Sequence, residues 1–246
     1  MDEHNLLESL RRRQAFRDRR EAGQRLVEAL ADYKGKDALV LGIPRGGVAV
    51  AAEVARQLEA DLDVVVARKL GAPGQPELAI GAVTANGGLF LDHDAIEALG
   101  VSDDYLTAVI ARESEVARQR EERFRGARPP AAVEGRAVIV VDDGLATGAT
   151  MRAAVHAVAK RRPARLIVAV PVGSQGACDA LRKEADEVVC LLTPEPFWAV
   201  GLYYEDFAPV EDEEVQEILQ QFRAGSGRPP LTGMPSRRRT PPAVAR

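Results

Sequence analysis

Residues 137–151 read AVIVVDDGLATGATM, and this stretch decides which fold the chain can adopt. The apolar run Ala137 to Val141 predicts a buried strand, and Ala149 to Lys160 predicts a helix after a short turn. Between them lie two adjacent carboxylates, Asp142 and Asp143, followed by small residues. A wholly apolar strand that leads into a helix is typical of a parallel sheet covered on both faces.

The same alternation of apolar strands and helices extends over most of the chain. The predicted strands are 38–41, 62–66, 137–141, 166–170 and 188–192, with a hairpin of 78–83 and 89–91 around Asn86-Gly87. Residues 6–33 are predicted to form one amphipathic helix or two, and the other predicted helices are 47–58, 103–124, 149–160, 176–181 and 211–222. The fold class is therefore α/β, a mostly parallel sheet flanked by helices. In such sheets ligands bind at the carboxyl ends of the strands.

The composition argues against several classes of protein. The 246 residues carry 33 Lys and Arg against 37 Asp and Glu, a balance that argues against a nucleic-acid binder. No apolar run reaches the ~20 residues that a membrane-spanning helix needs. Two cysteines and three histidines give neither a disulfide framework nor a zinc site. With a charged N-terminus and no signal-peptide pattern, the expected location is the cytoplasm.

The turn after the third apolar strand has the chemistry of a sugar-phosphate site. The carboxylates of Asp142 and Asp143 can accept hydrogen bonds from sugar hydroxyls or approach a hydrated divalent cation. Small residues that open a helix form an anion cradle, to which Thr147 and Thr150 add hydroxyl groups. A nucleotide P-loop is excluded because Ala149 stands where that motif requires lysine. The alternative, a tight turn with a solvated acid pair, explains fewer of these coincident features.

The chain resembles the type I phosphoribosyltransferases in three segments. Residues 139–150, IVVDDGLATGAT, resemble the family's signature for phosphoribosyl diphosphate (PRPP). Residues 41–47, LGIPRGG, are similar to its pyrophosphate loop, and Arg68-Lys69 is similar to the pair that opens its mobile loop. The whole chain resembles the bacterial group called predicted phosphoribosyltransferases. This resemblance implies a type I phosphoribosyltransferase-like sheet with a small hood and a helical insertion.

The resemblance also implies a function, in which the enzyme transfers the phosphoribosyl group of PRPP to an acceptor and releases pyrophosphate. Asp142 and Asp143 would hold the ribose hydroxyls, while Arg45 and Lys69 would help a Mg²⁺ cofactor to neutralise the leaving pyrophosphate; these four residues are the expected catalytic set. The metal ligands are left open. A non-proline cis peptide is expected around Arg45, and residues 69–77 are expected to form a lid. The implied PRPP-binding residues are Arg45, Gly46, Gly47, Arg68, Lys69, Asp142, Asp143, Gly144, Leu145, Ala146, Thr147, Gly148, Ala149 and Thr150.

The acceptor is expected to be a nucleobase, with a purine favoured. By resemblance, the hood is residues 194–209, where Trp198, Val200 and Glu205 would bind the acceptor and Glu205 would lie near magnesium. Aromatic stacking on a base contributes ~1–3 kcal/mol. An equally weighted alternative is that these aromatic residues pack the last helix onto the sheet. Ala146 stands where oxopurine enzymes carry an aspartate, so the base, or a non-base acceptor, is left open.

The expected organisation is a helical segment (1–36), a core (37–222, with a helical insertion at 93–130) and a disordered tail (223–246). The expected partners are small-molecule substrates, PRPP and a nucleobase-like acceptor, with no nucleic acid and no membrane; a homodimer is left open. An arginine cluster in the first segment is interpreted as a solvated helix face rather than a phosphate-binding surface. The alternative function is a non-catalytic regulatory protein that binds PRPP or a nucleotide. The clustered arginines are Arg11, Arg12, Arg13, Arg17, Arg19 and Arg20.

Overall fold

The structure, a computed structural model, describes residues 15–126 and 128–225. The first part of the predicted helix 6–33 and nearly all of the predicted disordered tail lie outside these residues. Within the described ranges, none of the helices combines the length and the apolar character that crossing a membrane requires.

The described residues form eight strands and seven α-helices, numbered in chain order. The strands are β1 (Leu39–Gly42), β2 (Asp61–Val64), β3 (Ala67–Ala72), β4 (Gln75–Thr84), β5 (Leu89–Leu91), β6 (Ala137–Val141), β7 (Arg165–Val172) and β8 (Glu187–Leu192). The helices are α1 (Arg19–Ala29), α2 (Gly46–Leu58), α3 (His93–Ala98), α4 (Asp103–Arg125), α5 (Ala149–Ala159), α6 (Gln175–Leu181) and α7 (Asp212–Gly225).

The central sheet is parallel, with the strand order β2-β1-β6-β7-β8. Its strands bury side chains on both faces: Val40 packs with α1, α2 and α7, whereas its neighbours Leu39 and Leu41 pack with α5 and α6. The same alternation holds in β6, where Ile139 faces the first group of helices and Val138 the second. Burial on both faces explains why β1 and β6 are apolar at every position. The predicted α/β class is confirmed.

A second, antiparallel sheet of β3, β4 and β5 lies against α4 and α5. The predicted pairing of 78–83 with 89–91 is confirmed, with Val83 opposite Leu89. Strand β3 was not predicted, because its charged residues and glycine suggested a loop. Leu70 and Ala72 are nevertheless buried, in a cluster with residues of α4. This sheet contacts the start of α5 through Ala82, so it stands beside the turn that precedes that helix.

A buried ion cluster anchors the long helix α4 to the edge of the central sheet. Arg125 donates from Nε to both carboxylate oxygens of Asp63, at 2.9 and 3.1 Å, and from Nη2 to the carbonyl of Val64. Glu121 also contacts the Arg125 guanidinium, and burial raises the pKa of Glu121 while that guanidinium opposes the rise. Removing one member of such a buried cluster typically costs about 3–5 kcal/mol. The inserted helix is therefore firmly attached to the core.

Candidate functional site

Two segments singled out from the sequence meet at the carboxyl edge of the central sheet. Strands β1 and β6 are neighbours, and their last residues, Gly42 and Val141, lie opposite each other. The backbone N–H of Ile43 continues this pairing by donating to the Val141 carbonyl at 2.9 Å. Loop 41–47 and the signature turn, residues 142–150, consequently leave the sheet side by side.

The two glycines of loop 41–47 lie in direct contact with the carboxylate pair. A Cβ atom at Gly46 would fall 1.9 Å from Oδ2 of Asp143, and one at Gly47 would fall 2.8 Å from both Cα and Oδ1 of Asp142. A side chain at either position would therefore force neighbouring atoms to move. The peptide bond between Pro44 and Arg45 is cis, as the family resemblance implied. Loop 41–47 and the carboxylate pair, which are distant in the sequence, are thus in direct contact.

The carboxylate pair is partly buried, and its electrostatics follow from that burial. Burial and the neighbouring Asp143 raise the pKa of Asp142 well above its ordinary value. Burial also raises the pKa of Asp143, although Arg19 opposes that rise. The backbone of the pair is fixed as well, because Asp142 Oδ1 accepts from the Asp143 N–H at 2.9 Å and the Tyr204 hydroxyl donates to the Asp143 carbonyl at 2.6 Å. Arg19 is therefore the cation that favours the ionised form of Asp143 within this partly buried pair.

Arg19 belongs to the site, although the sequence analysis assigned its arginine cluster to a solvated helix face. Its Nε donates to Asp143 Oδ2 at 2.8 Å, and its side chain is only 12% exposed. The sequence does contain a signal for this burial. Arg19 precedes Ala22, Gly23 and Leu26, the buried residues of α1, at helical spacings of three, four and seven. A helical wheel would have placed Arg19 on the inner face.

The signature turn is held by backbone hydrogen bonds and leads into an uncapped helix. The N–H of Leu145 donates to the Val172 carbonyl at 2.9 Å, and Ser174 Oγ donates to the Ala146 carbonyl at 2.7 Å. Gly148 precedes α5 with a φ of +81°, a conformation that favours glycine. Ala146 and Thr147 are exposed at the tip of the turn. No side chain caps the start of α5, so the turn leaves the first N–H groups of this helix without a side-chain acceptor.

Side-chain capping distinguishes the two helices that start at the site from four of the other described helices. In α1, α3, α4 and α6, the Ncap side chain of Asp18, Asp92, Ser102 or Ser174 accepts from the helix backbone. Helices α2 and α5, which begin at loop 41–47 and the signature turn, have no such side-chain bond. Their first N–H groups and the positive ends of their dipoles are available to an anion. Two candidate anion sites therefore flank the carboxylate pair.

The three cationic side chains predicted to bind PRPP have acidic partners. Arg45 Nη1 lies 3.1 Å from Glu211 and 3.9 Å from Asp212, at the start of α7. Arg68 and Lys69 lie on β3 rather than beside Asp142: Arg68 pairs with Glu113 of α4, and Lys69 Nζ pairs with Glu77 at 3.0 Å. The predicted lid, 69–77, forms the end of the β3–β4 hairpin, and residues 73–78 at its tip are exposed.

The hood, residues 194–209, packs directly on the signature turn. A Cβ atom at Gly144 would fall 2.3 Å from Val200 Cγ1, so these two residues are in close contact. Tyr203 and Tyr204 are buried in a cluster with Phe16 and Val172.

Two of the hood residues predicted to bind the acceptor face outward. Trp198 is 69% exposed, and the Glu205 side chain is exposed, although its backbone N–H donates to the Phe16 carbonyl at 2.9 Å. A packing role therefore fits the tyrosines and does not fit Trp198.

Comparisons with known proteins agree with this geometry. The family model for the phosphoribosyl transferase domain matches residues 10–206. Two Mycobacterium tuberculosis proteins (strains CDC 1551 / Oshkosh and ATCC 25618 / H37Rv), provisionally named phosphoribosyl transferases, are 43% identical over 206 residues, which is 84% of this chain and 46% of theirs. The chain thus spans about half the length of these relatives. The crystal structure of TT1426 from Thermus thermophilus superposes with a TM-score of 0.72 at 51% identity, covering 84% of this chain and 98% of that one. The chain belongs to the phosphoribosyl transferase domain family, as its three motifs implied.

Proposed function

We propose that this chain is a phosphoribosyltransferase that binds PRPP and transfers its 5-phosphoribosyl group to an acceptor, releasing pyrophosphate. The observation that carries the proposal is the pair of uncapped helix N-termini, α2 and α5, on either side of Asp142 and Asp143. PRPP has the matching order of groups: a diphosphate, a ribose diol and a 5-phosphate. The α2 end suits the diphosphate, the carboxylates suit the diol, and the α5 end suits the 5-phosphate.

The chemistry proposed for this site is electrostatic. Pyrophosphate leaves C1 of the ribose through an oxocarbenium-like transition state, so negative charge grows on the leaving group. Arg45 stands at the start of α2, and its partner Glu211 is largely exposed, which allows the guanidinium to exchange that carboxylate for phosphate oxygens. Lys69 has an even more exposed partner in Glu77, and closure of the hairpin would carry Lys69 towards the substrate. Such preorganised charges commonly supply a large part of a rate enhancement.

The described residues fit a magnesium ion that arrives with the substrate. Among them, no group of three or more His, Cys, Asp or Glu side chains could hold a metal by itself. Mg²⁺ is commonly held by one or two carboxylates together with substrate phosphates, and it keeps several of its waters. Glu205 is the exposed carboxylate that the family resemblance places near the ion. When bound, the ion would neutralise charge on the diphosphate.

The acceptor proposed is a nucleobase, with a purine favoured. Trp198 offers an exposed ring in the hood, and Val200 joins the hood to the signature turn beside Gly144. A ring that is 69% exposed contributes little to packing but presents a face for stacking, which is worth ~1–3 kcal/mol per base. Ala146, at the exposed tip of the turn, supplies no acid or base, so proton transfer from the acceptor would need solvent or another group.

The test combines calorimetry with an assay of pyrophosphate release. The parent protein is titrated with PRPP and Mg²⁺ and is then assayed for pyrophosphate release with a panel of purines and pyrimidines. The double variant Asp142→Asn/Asp143→Asn should lose PRPP affinity by at least about tenfold. The control variant Asp179→Asn alters an exposed carboxylate of α6 and should bind as the parent does. Absence of PRPP binding by the parent would refute the proposal, and binding without pyrophosphate release would favour the regulatory alternative.

A further inference from the structure

Arg19 reaches the carboxylate pair from a helix outside the three segments that resemble the family's motifs. Its hydrogen bond to Asp143 joins residues 124 positions apart in the sequence. Both side chains are shielded from water, at 12% exposure for Arg19 and 17% for Asp143. An ion pair this far from bulk solvent is screened less than a surface pair. The ion pair between Arg19 and Asp143 is therefore expected to contribute more than a surface salt bridge does.

We infer that Arg19 is a positioning residue for PRPP: it pairs with the Asp143 carboxylate and holds it directed at the ribose hydroxyls. This inference rests on the proposed function, because it assigns Asp143 to the ribose. A neutral Asp143 could still donate one hydrogen bond but would lose the charge that strengthens bonds from hydroxyl groups. Burial favours the neutral form of Asp143 and raises its pKa, and Arg19 is the cation that opposes this rise.

The surroundings of Arg19 fix its guanidinium independently of Asp143. Its Nη1 donates to the Ala208 carbonyl at 2.8 Å, and its Cζ lies 3.8 Å from the centre of the Phe207 ring. The hood therefore clamps the guanidinium on one side, while the opposite side meets the carboxylate. A Cβ atom at Gly46 would fall 2.7 Å from Arg19 Nε, so loop 41–47 closes the remaining space. Because Ala208, Phe207 and loop 41–47 fix the guanidinium, Arg19 can in turn orient the Asp143 carboxylate.

The same contacts argue against the alternative that Arg19 merely plugs an empty diol site. A plug must leave when substrate arrives, and departure of Arg19 would break its bonds to Asp143 and Ala208 and its contact with Phe207. It would also leave Asp143 buried without a cation, which is costly. If Arg19 stays in place when PRPP binds, all of these contacts are kept.

The chain offers a matched control for Arg19 within the same helix. Arg25 of α1 also donates to a backbone carbonyl, that of Ala15, and its Cζ also lies over an aromatic ring, Phe16, at 4.6 Å. It does not approach Asp143. Replacing either arginine with glutamine thus removes a similar set of structural contacts, and only Arg19→Gln removes the bond to the carboxylate.

The experiment is calorimetric titration of the parent and its variants with PRPP and Mg²⁺, with thermal unfolding to verify folding. Arg19→Gln should weaken PRPP binding by about 10- to 100-fold, the effect of a lost charge-assisted hydrogen bond. Arg19→Lys should recover part of the loss, because an ammonium group can still donate to Asp143. Arg25→Gln should bind within about threefold of the parent. Should Arg19→Gln not fold, Arg19→Lys alone must still bind more weakly than Arg25→Gln.

A double-mutant cycle tests whether Arg19 acts through Asp143. In the Asp143→Asn background, Arg19→Gln should change PRPP affinity by no more than about twofold, because coupled residues are not additive. Full additivity, unchanged affinity in Arg19→Gln or tighter binding in that variant would each overturn the inference, and tighter binding would identify a plug. If the parent itself binds no PRPP, the proposed function fails and the inference fails with it. If the parent binds and Arg19→Gln binds equally well, only the inference fails.

Discussion

Gly46 is the most tightly enclosed of the described glycines, and replacing it with alanine tests the contact between loop 41–47 and the carboxylate pair. The added Cβ would fall 1.9 Å from Asp143 Oδ2 and 2.7 Å from Arg19 Nε, where real Cβ contacts essentially never fall under 3.0 Å. The carboxylate must therefore move by about 1 Å or more. Two hydrogen bonds oppose this movement: Arg19 donates to Oδ2 of Asp143, and the Tyr204 hydroxyl donates to the backbone carbonyl of Asp143.

The magnitude of the Gly46→Ala effect follows from this overlap. Forcing an extra methyl group into a packed site costs about 1–3 kcal/mol, and alanine returns up to ~1 kcal/mol because Gly46 begins α2. A net loss of about 1–2 kcal/mol lowers the Tm by about 2–8 °C in a chain of this size. PRPP affinity should fall further, by about 10- to 100-fold, since displacement of Asp143 breaks a charge-assisted hydrogen bond to the ligand.

Thermal unfolding and calorimetric titration with PRPP and Mg²⁺ measure the two effects separately. The control is Gly176→Ala in α6, where a Cβ would meet nothing within 4 Å. That variant should keep the parent's PRPP affinity and unfold at the same or a slightly higher temperature, because alanine is the better helix former. A folded Gly46→Ala protein with the parent's affinity would refute the contact between the loop and the carboxylates.

Two further predictions concern Trp198 and Asp142. Trp198→Ala should leave the Tm within about 1–2 °C, because the ring is 69% exposed, and should raise the acceptor KM by about 5- to 150-fold if the ring stacks on a base. A Tm drop of several degrees with an unchanged KM would show a packing role instead. Burial and Asp143 raise the pKa of Asp142 in the folded protein, so its contribution to stability is lost as the pH rises through that pKa. Asp142→Asn should therefore raise the Tm of the ligand-free protein at about pH 8 but not at about pH 4, where the parent's carboxyl is protonated. Equal gains at both pH values would contradict the assigned titration.

The central sheet was predictable because its strands are buried on both faces. Ala137 to Val141 was predicted with the bounds that β6 has, since an unbroken apolar run between a turn and a helix leaves few alternatives. Strand β3 escaped prediction for the opposite reason. It carries Arg68 and Lys69 in its first half, and its apolar residues Leu70 and Ala72 are buried by α4, a contact that local sequence does not reveal.

The site could be predicted only in the part that the strands position. Parallel strands end at one edge, and that rule placed loop 41–47 and the carboxylate pair at the same edge of the sheet. That the two are neighbours follows from the pairing of β1 with β6, which the sequence did not predict. Arg19 and Tyr204 could not be placed in the same way, because their bonds to Asp143 depend on how α1 and the hood pack. Helical periodicity could have identified the inner face of α1, but it could not have named the partner that Arg19 meets there.

The contacts that Arg19 and Tyr204 make with Asp143 also determine when, during folding, the surroundings of the carboxylate pair can form. Arg19, Asp143 and Tyr204 come from three distant parts of the chain, with 124 residues separating the first two and 61 the last two. Contacts of such long sequence separation form late, because the entropy of closing the intervening loops must be lost first. A chain emerging from the ribosome can build β1 and β6 well before the hood is synthesised. Until Phe207 and Ala208 have emerged, Arg19 lacks the carbonyl and the aromatic ring that hold its guanidinium, and the newly made sheet has its carboxylates without a fixed arginine beside them.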